Sequence, residues 1–382
     1  MRLLHLGDLH LGKAVGGFDL VEDQRYILDE ILKITDEKSV DAVLIAGDVY
    51  DKSVPSEAAT KLLDYFLNAL VEKKVTVFMI SGNHDSDDRL NFGSRIFKNS
   101  GIFISAKFDG HLAGHVFRAG GMEINVYLLP FIKASQVKHY FPEETVETYE
   151  DAVKAVLKSA DIDEKKCNLL VAHQFVAGKG SDPVLGGSEG IGTKSVGLVE
   201  KIGYDLFDKF DYAALGHIHS SQSVGREAVR YSGSPLKYSL SEAGSEKSVP
   251  LITIREKNDL RIELVPLQPK RDMRHIKGKL ETLLKKENVT DPEDFMYVTL
   301  TDEDIIDDAM GIIQQTYPNT IKIDYENSHT REAEQAEIVE TGQNKSFQEL
   351  IREFYQLMYD CDMSEEEEKV MEEAGRKAGV IQ

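Results

Sequence analysis

Three short apolar runs alternate with two helical stripes over the first 85 residues, and polar side chains follow each run. The runs are "RLLHL", "AVLIAGD" and "VTVFMISGN". The stripes recur every three or four residues, as one face of an amphipathic helix does. They consist of Val21, Leu28, Ile31 and Leu32, then Ala59, Leu62, Leu63, Phe66 and Leu70. This strand–helix–strand–helix–strand order predicts a sheet with helices packed against it.

Two later segments have the pattern of hairpins. "HVFRAGGMEINVYLLPF" contains a turn signal at Gly120-Gly121, and "VPLITIREKNDLRIELVPL" contains one near Asn258-Asp259. Added to the opening pattern, these hairpins predict a mixed α/β domain with two sheets over residues 1–270.

A smaller α+β domain is predicted over residues 271–326. Its strands are "FMYVTL" and "TIKIDY", and each follows a helical pattern. The first pattern consists of Ile276, Leu280, Leu283 and Leu284, and the second of Ile305, Met310 and Ile313.

A polar linker and terminal helices are predicted beyond the small domain. Residues 327–345 show little periodicity and are typical of a linker. Residues 346–382 contain two capping boxes, Ser346 with Glu349 and Ser364 with Glu367. The first capping box precedes an apolar face suited to docking on a partner or on its own domain, made of Phe347, Leu350, Ile351, Phe354, Leu357 and Met358.

The composition limits the surfaces and compartments that fit this chain. With 45 basic and 66 acidic residues the net charge is −21, so contact with nucleic acid would have to be local. The two cysteines, Cys167 and Cys361, fit neither a disulfide framework nor a zinc site. The amino end carries Asp8 and His10 inside its apolar stretch, and no apolar run is long enough to span a membrane. We therefore expect a cytoplasmic, soluble protein.

Five segments place possible ligands directly after apolar runs: "GDLH", "GDVYD", "GNHD", "AHQF" and "GHIH". An aspartate after a buried strand is often only a turn residue or helix cap, and a lone histidine there is often structural. Since functional groups gather where strands of an open α/β sheet end, five such segments together favour a shared site. The candidates are Asp8, His10, Asp48, Asn83, His84, Asp85, His173, His217 and His219.

These residue types suit two neighbouring divalent metals that act on a phosphate ester. A dimetal site needs a shared carboxylate and a mixed shell of imidazole, carboxylate and amide donors. The imidazoles favour Mn²⁺ or Fe over Mg²⁺. His84, held by Asp85, could then assist the departing oxygen.

The order of these motifs resembles the calcineurin-like metallophosphoesterase superfamily. Within it, the chain is similar to the nuclease subunits of double-strand-break repair complexes, on the stretches "LHLGDLHLGK", "AGDVYDKSVPS" and "GSPLKYSLSE". The resemblance implies an α/β/β/α sandwich of two sheets with a small α+β capping domain that recognises DNA ends, and C-terminal partner-docking helices.

Carried over by position, the resemblance implies a role for each candidate. Asp8, His10 and His219 would bind the first metal and Asn83, His173 and His217 the second. Asp48 would bridge them, and His84 would be the catalytic histidine with Asp85 orienting it. Archaeal and eukaryotic relatives have a histidine three residues after the bridging aspartate, where this chain has Asp51.

The resemblance also implies substrate and partners. It indicates a metal-dependent exonuclease and endonuclease for DNA ends and hairpins, nucleoid-associated, that works as a homodimer with a coiled-coil ATPase. A phosphatase or cyclic-nucleotide phosphodiesterase is the alternative, and a scaffold without activity is disfavoured because every ligand position is filled. Basic residues beside the motifs could contact DNA, namely Lys13, Lys52 and Arg89, with Lys179 and Lys237.

Overall fold

Nineteen strands lie within the described residues, which are 1–178, 180, 182–187, 201–328, 352, 363–364, 367–368 and 370–371. They are β1 (Arg2–Leu6), β2 (Ala14–Val15), β3 (Phe18–Asp19), β4 (Ala42–Ala46), β5 (Thr76–Ile80), β6 (Ile102–Ser105), β7 (Ala113–Ala119), β8 (Met122–Leu129), β9 (Asn168–His173), β10 (Val176–Ala177), β11 (Ile202–Gly203), β12 (Tyr212–Gly216), β13 (Gln222–Val224), β14 (Arg226–Tyr231), β15 (Ser248–Glu256), β16 (Asp259–Pro266), β17 (Met273–Gly278), β18 (Phe295–Leu300) and β19 (Thr320–Tyr325).

The α-helices in the same part of the chain are α1 (Val21–Glu37), α2 (Glu57–Glu72), α3 (Asp87–Leu90), α4 (Ser94–Phe97), α5 (Ala134–Val137), α6 (Tyr149–Ser159), α7 (Leu280–Leu283) and α8 (Ala309–Gln314). Short 3-10 turns cover Lys98–Ser100, Tyr204–Phe207 and Leu240–Glu242. This computed structural model has no helix, in its described part, that is both long enough and apolar enough to cross a membrane.

The predicted opening pattern forms the first sheet, in the order β16-β15-β1-β4-β5-β6. Strands β1, β4, β5 and β6 run parallel, so their carboxyl ends meet at one edge. Helices α1 and α2 are the crossovers predicted from the two stripes. The Ser56 hydroxyl begins α2 by accepting a hydrogen bond from the amide of Ala59.

The second sheet has the order β13-β14-β12-β9-β8-β7. Its strands β8, β9, β12 and β14 are parallel. The hairpin β7–β8 turns at Gly120 and Gly121, whose φ angles of 57° and 78° suit a type I′ turn. The β15–β16 hairpin of the first sheet turns at Asn258, which has φ 65°. Both predicted hairpins are confirmed.

Successive side chains of β4 alternate between two apolar cores, one between the two sheets and one between the first sheet and its helices. Leu44 of β4 belongs to the core between the two sheets, together with Val126 and Val171 of the second sheet. Its neighbours Val43 and Ile45 belong to the core under α1 and α2. Since successive side chains of a strand point to opposite faces, a strand buried on both sides is continuously apolar. The two-sheet α/β/β/α sandwich is thus confirmed.

The chain divides into two compact units whose residues interleave in sequence. The first comprises residues 1–276, 289–298 and 310–322, and the second comprises residues 277–288, 299–309 and 323–382. The predicted domain boundaries after residues 270, 326 and 345 therefore stay predictions.

Strands β17, β18 and β19 form a three-stranded sheet, in which "FMYVTL" and "TIKIDY" are strands as predicted. The helical pattern that begins at Ile276 was wrong there, since Ile276 lies in β17 and α7 has only four residues. Burial alternates with a period of two residues along β17, which is the pattern of a strand and not of a helix. Ile305 precedes α8 and is 80% exposed, so it is no part of a helical core face.

Near the carboxyl end, one of the two predicted capping boxes falls on described residues. The amide of Ser364 donates to Glu367 Oε2 at 2.9 Å, and the amide of Glu367 donates to Ser364 Oγ at 3.4 Å. This capping box is confirmed. The other box, Ser346 with Glu349, and the apolar face after it lie outside the described residues.

Candidate metal centre

Five strand ends meet in the first compact unit, three from the first sheet and two from the second. The loops after β1, β4 and β5 carry Asp8, Asp48 and Asn83, while His173 ends β9 and His217 follows β12. Ligand-type atoms lie within 4.8 Å of one another in three overlapping groups: Asp8, His10 and His219; His10, Asp48 and His84; Asp8, Asp48 and His173. The predicted convergence of the five segments is therefore observed.

Four of these residues have backbones in the left-handed region, which disfavours side chains other than glycine. The φ angles are 53° at Asp8, 44° at His10, 48° at Asp48 and 103° at His217. Such strain persists only where surrounding contacts impose it, and it concentrates at functional sites. Here the amide of Asp8 donates to the Gly47 carbonyl at 3.1 Å, and that of His10 to the Asp48 carbonyl at 2.9 Å.

Glycines in the motifs permit this close approach. A Cβ atom on Gly82 would lie 2.1 Å from Asp48 Oδ1, and one on Gly216 would lie 1.9 Å from the carbonyl oxygen of Ala46. Neither distance is possible for real atoms. The glycine before Asn83 and the glycine before His217 are therefore required by packing around the centre.

Asp48 lies at the middle of the cluster. Its Oδ1 accepts a hydrogen bond from the amide of His84 at 2.9 Å, and its Oδ2 lies 3.4 Å from His173 Nε2 and 3.7 Å from His10 Nε2. Burial alone would raise the pKa of Asp48, but the charge of His173 holds it well below its usual value. Asp48 is thus an ionised carboxylate shared by imidazoles on both sides.

Asp8 is fully buried beside it. Its Oδ1 accepts from the amide of His217 at 2.8 Å, while its Oδ2 has no hydrogen-bond partner among the described residues. Burial raises the pKa of this carboxyl to about 6. A buried carboxylate oxygen without a donor is costly, so this atom is suited to a cation.

The imidazoles of His10 and His219 approach each other through their Nε2 atoms. Their Nε2 atoms are 3.1 Å apart and both rings are buried. Burial lowers the pKa of His10 to about 4, which keeps this ring neutral near pH 7. Two ring nitrogens directed at one point, with Asp8 beside them, are a typical arrangement of metal donors.

On the other side of Asp48, Asn83 joins two histidines. Its Oδ1 lies 3.0 Å from both His173 Nε2 and His217 Nδ1. His173 Nδ1 lies 2.8 Å from the Ala46 carbonyl, so a proton on Nδ1 leaves Nε2 free to act as a donor to a metal. Burial alone would lower the pKa of His173, but without a bound cation Asp48 and Asp8 raise it to about 9, so a metal that binds at Nε2 has to displace a proton from that atom.

His84 is the more open imidazole, with 27% of its side chain exposed. Its Nδ1 lies 3.0 Å from the carbonyl oxygen of Asp51, and its Nε2 lies 4.0 Å from Asp48 Oδ2. A backbone carbonyl oxygen can only accept, so Nδ1 is the protonated nitrogen and Nε2 faces the centre.

The predicted contact between Asp85 and the His84 ring is replaced in the structure by this Asp51 carbonyl. The Asp85 carboxylate instead accepts three backbone hydrogen bonds, from Val49 at 3.1 Å, Tyr50 at 2.9 Å and Gly82 at 2.9 Å. Burial raises the pKa of Asp85 to about 6. Asp85 thus ties together the two loops that carry Asp48 and His84.

Sequence reasoning missed a buried polar group behind His219. Glu242 and Lys247 form an ion pair of 2.5 Å, and Lys247 also donates to the His219 carbonyl at 2.9 Å. Tyr238 donates from its hydroxyl to the Leu9 carbonyl at 2.6 Å. Tyr238 and Glu242 lie in "GSPLKYSLSE", which carried only the family resemblance, because nothing in its spacing indicates a ligand.

The basic residues proposed for DNA differ in their surroundings. Lys13 pairs with Asp51 at 2.8 Å and Lys237 with Asp272 at 2.9 Å, and both lysines are largely covered. Lys52 and Arg89 are exposed. Lys179 lies outside the described residues. Lys52 and Arg89 can therefore contact a ligand directly, whereas Lys13 and Lys237 would first have to leave their ion pairs.

The donor set fits two divalent cations. The imidazoles of His10 and His219 lie on one side of Asp48. Asp8 Oδ2 lies with them and has no hydrogen-bond partner among the described residues. Two imidazoles with an amide oxygen lie on the other. A shared carboxylate between two such sets is what a dimetal site requires.

Comparison with known proteins gives two family matches and a relative that spans nearly the whole chain. Residues 1–221 match the Calcineurin-like phosphoesterase family, and residues 269–359 match the Type 5 capsule protein repressor C-terminal domain. A protein of Staphylococcus epidermidis, described as the D subunit of the nuclease SbcCD, is 33% identical over 371 residues, which is 96% of this chain and 95% of that protein.

Solved structures with some likeness include a protein of Thermus thermophilus and a dimetal phosphatase from Danio rerio. The first is 12% identical with a TM-score of 0.38 and covers 69% of this chain and 98% of its own. The second is 11% identical with a TM-score of 0.39 and covers 70% of this chain and 98% of its own.

Proposed function

Because the chain belongs to the calcineurin-like phosphoesterases and, within them, to the family of the SbcCD nuclease subunits, we propose that it is the nuclease subunit of an SbcCD-type complex. As such it cuts DNA as an ATP-dependent 3′–5′ double-strand exonuclease and as a single-strand and hairpin endonuclease in repair, recombination and replication. The observation that carries this proposal is the convergence of seven ligand-type side chains around one buried centre, namely Asp8, His10, Asp48, Asn83, His173, His217 and His219.

We assign the donors according to their contacts. Asp8, His10 and His219 would hold one cation, because His10 and His219 direct their Nε2 atoms at one point beside Asp8. Asn83, His173 and His217 would hold the other, because the Asn83 oxygen meets both rings. Asp48, which lies between the two sets, would be shared by both. When bound, the two cations polarise the phosphodiester and supply an attacking water at neutral pH.

His84 is the residue placed to act on the departing oxygen. Its ring is part-exposed and directs Nε2 toward the centre, while Nδ1 is held by the Asp51 carbonyl. It is therefore placed to contact the phosphate and, when Nε2 carries a proton in addition to the one on Nδ1, to donate that second proton to the leaving group. Asp85 serves this step through the backbone, since it orders the loops on which His84 and Asp48 are carried.

Manganese is the metal that this donor set favours. Four imidazole nitrogens with two carboxylates and one amide oxygen are richer in nitrogen than sites typical of Mg²⁺, which prefers oxygen donors and retains water. Mg²⁺ would bind more weakly. A calorimetric titration of the purified chain with each metal tests this order.

DNA contacts beside the centre are proposed for Lys52 and Arg89, which are exposed, and for Lys13, which would have to leave Asp51. Because the net charge is −21, such contacts are local. The small α+β region at residues 271–326 is proposed to recognise DNA ends.

A homodimer is proposed through the segment after the "GNHD" motif. Phe92, between the short helices α3 and α4, is 81% exposed, and Ile96, within α4, is 72% exposed. Large side chains so exposed and so close together indicate an interface, and a second copy can offer the same patch in return. Replacing both Phe92 and Ile96 with Glu should convert a dimer to a monomer in sedimentation experiments.

The partner is proposed to be a coiled-coil ATPase of the SbcC type, since the relative from Staphylococcus epidermidis carries the name of one component of a two-component complex. The predicted docking segment is residues 346–382, with its apolar face from Phe347 to Met358. ATP would act through that partner.

The proposed activity is tested by cleavage of linear duplex and hairpin DNA with Mn²⁺, in the presence and absence of the ATPase and ATP. His84→Gln should lower the cleavage rate by roughly 10²–10⁴-fold while both metals still bind. Equal rates for the variant and the wild type would reject the role of His84. A wild type that leaves DNA intact but turns over a phosphoprotein or a cyclic nucleotide would move the function to the alternative.

A further inference from the structure

The two sides of the dimetal centre differ in what lies behind their imidazoles. On one side, His10 and His219 direct their Nε2 atoms at each other, and each has a carboxylate near its other ring nitrogen, Nδ1. Asp51 Oδ1 lies 3.6 Å from His10 Nδ1, and Glu242 Oε1 lies 3.9 Å from His219 Nδ1. Each of these carboxylates is paired in turn with a lysine.

The lysines make the two arrangements alike although they come from different parts of the chain. Lys13 Nζ lies 2.8 Å from Asp51, and Lys247 Nζ lies 2.5 Å from Glu242. The side chain of Glu242 is 2% exposed and that of Lys247 is 9% exposed, so this pair is shielded from water. Lys13 pairs with the same Asp51 oxygen that faces His10, whereas Lys247 pairs with Glu242 Oε2 and leaves Oε1 facing His219. In both cases the lysine favours the ionised form of the carboxylate that supports the imidazole.

The described contacts on the other side of the centre give no lysine-paired carboxylate of this kind. His173 Nδ1 faces the neutral carbonyl of Ala46 at 2.8 Å. His217 directs its Nδ1 at the metal-side oxygen of Asn83 at 3.0 Å and makes no ion pair with a carboxylate among the described residues. Asp8 Oδ1 also lies 3.9 Å from His173 Nδ1, but it already accepts the amide of His217 and belongs to a proposed metal ligand. A carbonyl orients an imidazole, but it polarises the ring less than an ionised carboxylate does.

We propose that Asp51 and Glu242 are positioning residues that make the site of Asp8, His10 and His219 the tighter of the two metal sites. A histidine that binds a metal through Nε2 carries its proton on Nδ1, and a carboxylate at that proton fixes the ring and raises the basicity of Nε2. Movements of less than about 1 Å bring 3.6 and 3.9 Å within hydrogen-bond distance. The weaker site, on the other side of the bridging carboxylate, then fills last.

This inference rests on the proposed dimetal function and gives Asp51 two contacts at the centre. Its carboxylate supports His10, and its carbonyl holds the His84 ring at 3.0 Å. One residue thereby places a metal ligand and the proton donor relative to each other.

The test is calorimetric titration of the full metal-free chain with Mn²⁺, which reports affinity without requiring cleavage. The wild type should show two binding steps. Asp51→Asn and Glu242→Gln should each weaken the tighter step by about 10–100-fold and leave the weaker step unchanged. In an Asn83→Ala background, where the weaker site has lost a donor, the remaining step should respond to Glu242→Gln in the same way.

A matched control is available in a second lysine–carboxylate pair with a buried acid. Asp211 lies 3.1 Å from Lys257 and its side chain is 5% exposed, but its described ion pairs and hydrogen bonds include no imidazole. Asp211→Asn should leave both steps unchanged. Thermal melts of the metal-free variants report any purely structural loss, and Asp51→Asn alone decides the outcome if Glu242→Gln does not fold.

The outcomes separate this inference from the proposed function. Two steps in the wild type that Asp51→Asn and Glu242→Gln leave unchanged would overturn the positioning role while the dimetal function stands. Weakening of the weaker step instead would overturn it as well. A wild type that binds fewer than two Mn²⁺ would overturn the dimetal proposal and this inference with it.

Discussion

His5 and His173 are both fully buried, yet their pKa values are shifted in opposite directions. His5 lies between the sheets, where its Nδ1 meets the Tyr212 hydroxyl at 2.9 Å, and burial lowers its pKa to about 3. His173 lies at the edge where the strands end, and Asp48 and Asp8 outweigh burial to raise its pKa to about 9. Burial alone therefore does not decide the charge of a histidine; the nearby carboxylates do.

The two regions that contain His5 and His173 also differ in their carboxylates and in their backbone. The core between the sheets is built from apolar side chains on regular strands, whereas the metal centre combines buried carboxylates with left-handed φ angles at Asp8, His10, Asp48 and His217. Each feature of the centre is costly by itself. They occur together because binding a cation offsets the cost of several buried charges at once.

Asp48→Asn should have the largest effect, since it removes the charge that distinguishes the two regions. We expect cleavage to fall by at least about 10³-fold, because both metals lose the negative charge of their shared ligand. In the metal-free protein the pKa of His173 should fall below its usual value and so resemble that of His5. Histidine NMR titrations measure this, and a His173 pKa still near 9 in Asp48→Asn would show that another group sets it.

Gly82→Ala should come next, because its Cβ would lie 2.1 Å from Asp48 Oδ1. The displaced carboxylate should weaken metal binding and lower cleavage by about 10²-fold, in line with the cost of misplacing a reacting group. Gly244→Ala is the matched control, since a Cβ there meets nothing within 4 Å. Similar cleavage rates for the two variants would show that the centre tolerates the shift.

His5→Gln should change the pH dependence of stability. The native pKa of His5 is about 3, below the unfolded value of 6.5, so the unfolded state takes up a proton that the native state refuses. The contribution of His5 to stability is therefore fully present above pH 6.5 and is lost as the pH decreases toward 3. Between about pH 7 and pH 5 the variant should lose about 2 kcal/mol less than the wild type in urea unfolding. Parallel losses would mean that His5 is protonated in the folded protein.

The smallest effects are expected for two tyrosines, one in each region. Tyr212→Phe removes the hydroxyl that meets His5, and Tyr238→Phe removes the hydroxyl bonded to the Leu9 carbonyl. Each should cost about 1 kcal/mol of unfolding free energy. Only Tyr238→Phe should also weaken Mn²⁺ binding, because the lost hydroxyl holds the carbonyl of Leu9, which lies between Asp8 and His10. Equal metal affinities in both variants would remove Tyr238 from the metal centre.

Much of the fold could be predicted because its signals are local. The stripes of α1 and α2, the apolar runs of β1, β4 and β5 and the turn at Gly120 each lie within a few neighbouring residues. The prediction was wrong at Ile276, where a short segment fits both a helical and an alternating period. Packing in a sheet decided between them, and packing is not visible in a single segment.

The sequence by itself determined which residue types follow each strand, and with them the class of chemistry. Asp, Asn and His after five apolar runs predict a metal site wherever parallel strands end together. Only the tertiary structure decided the supporting contacts: that the Asp51 carbonyl rather than Asp85 holds the His84 ring, and that Glu242 lies behind His219. The physical reason is that such contacts depend on distances of a few ångströms between segments far apart in sequence, here 33 residues from Asp51 to His84.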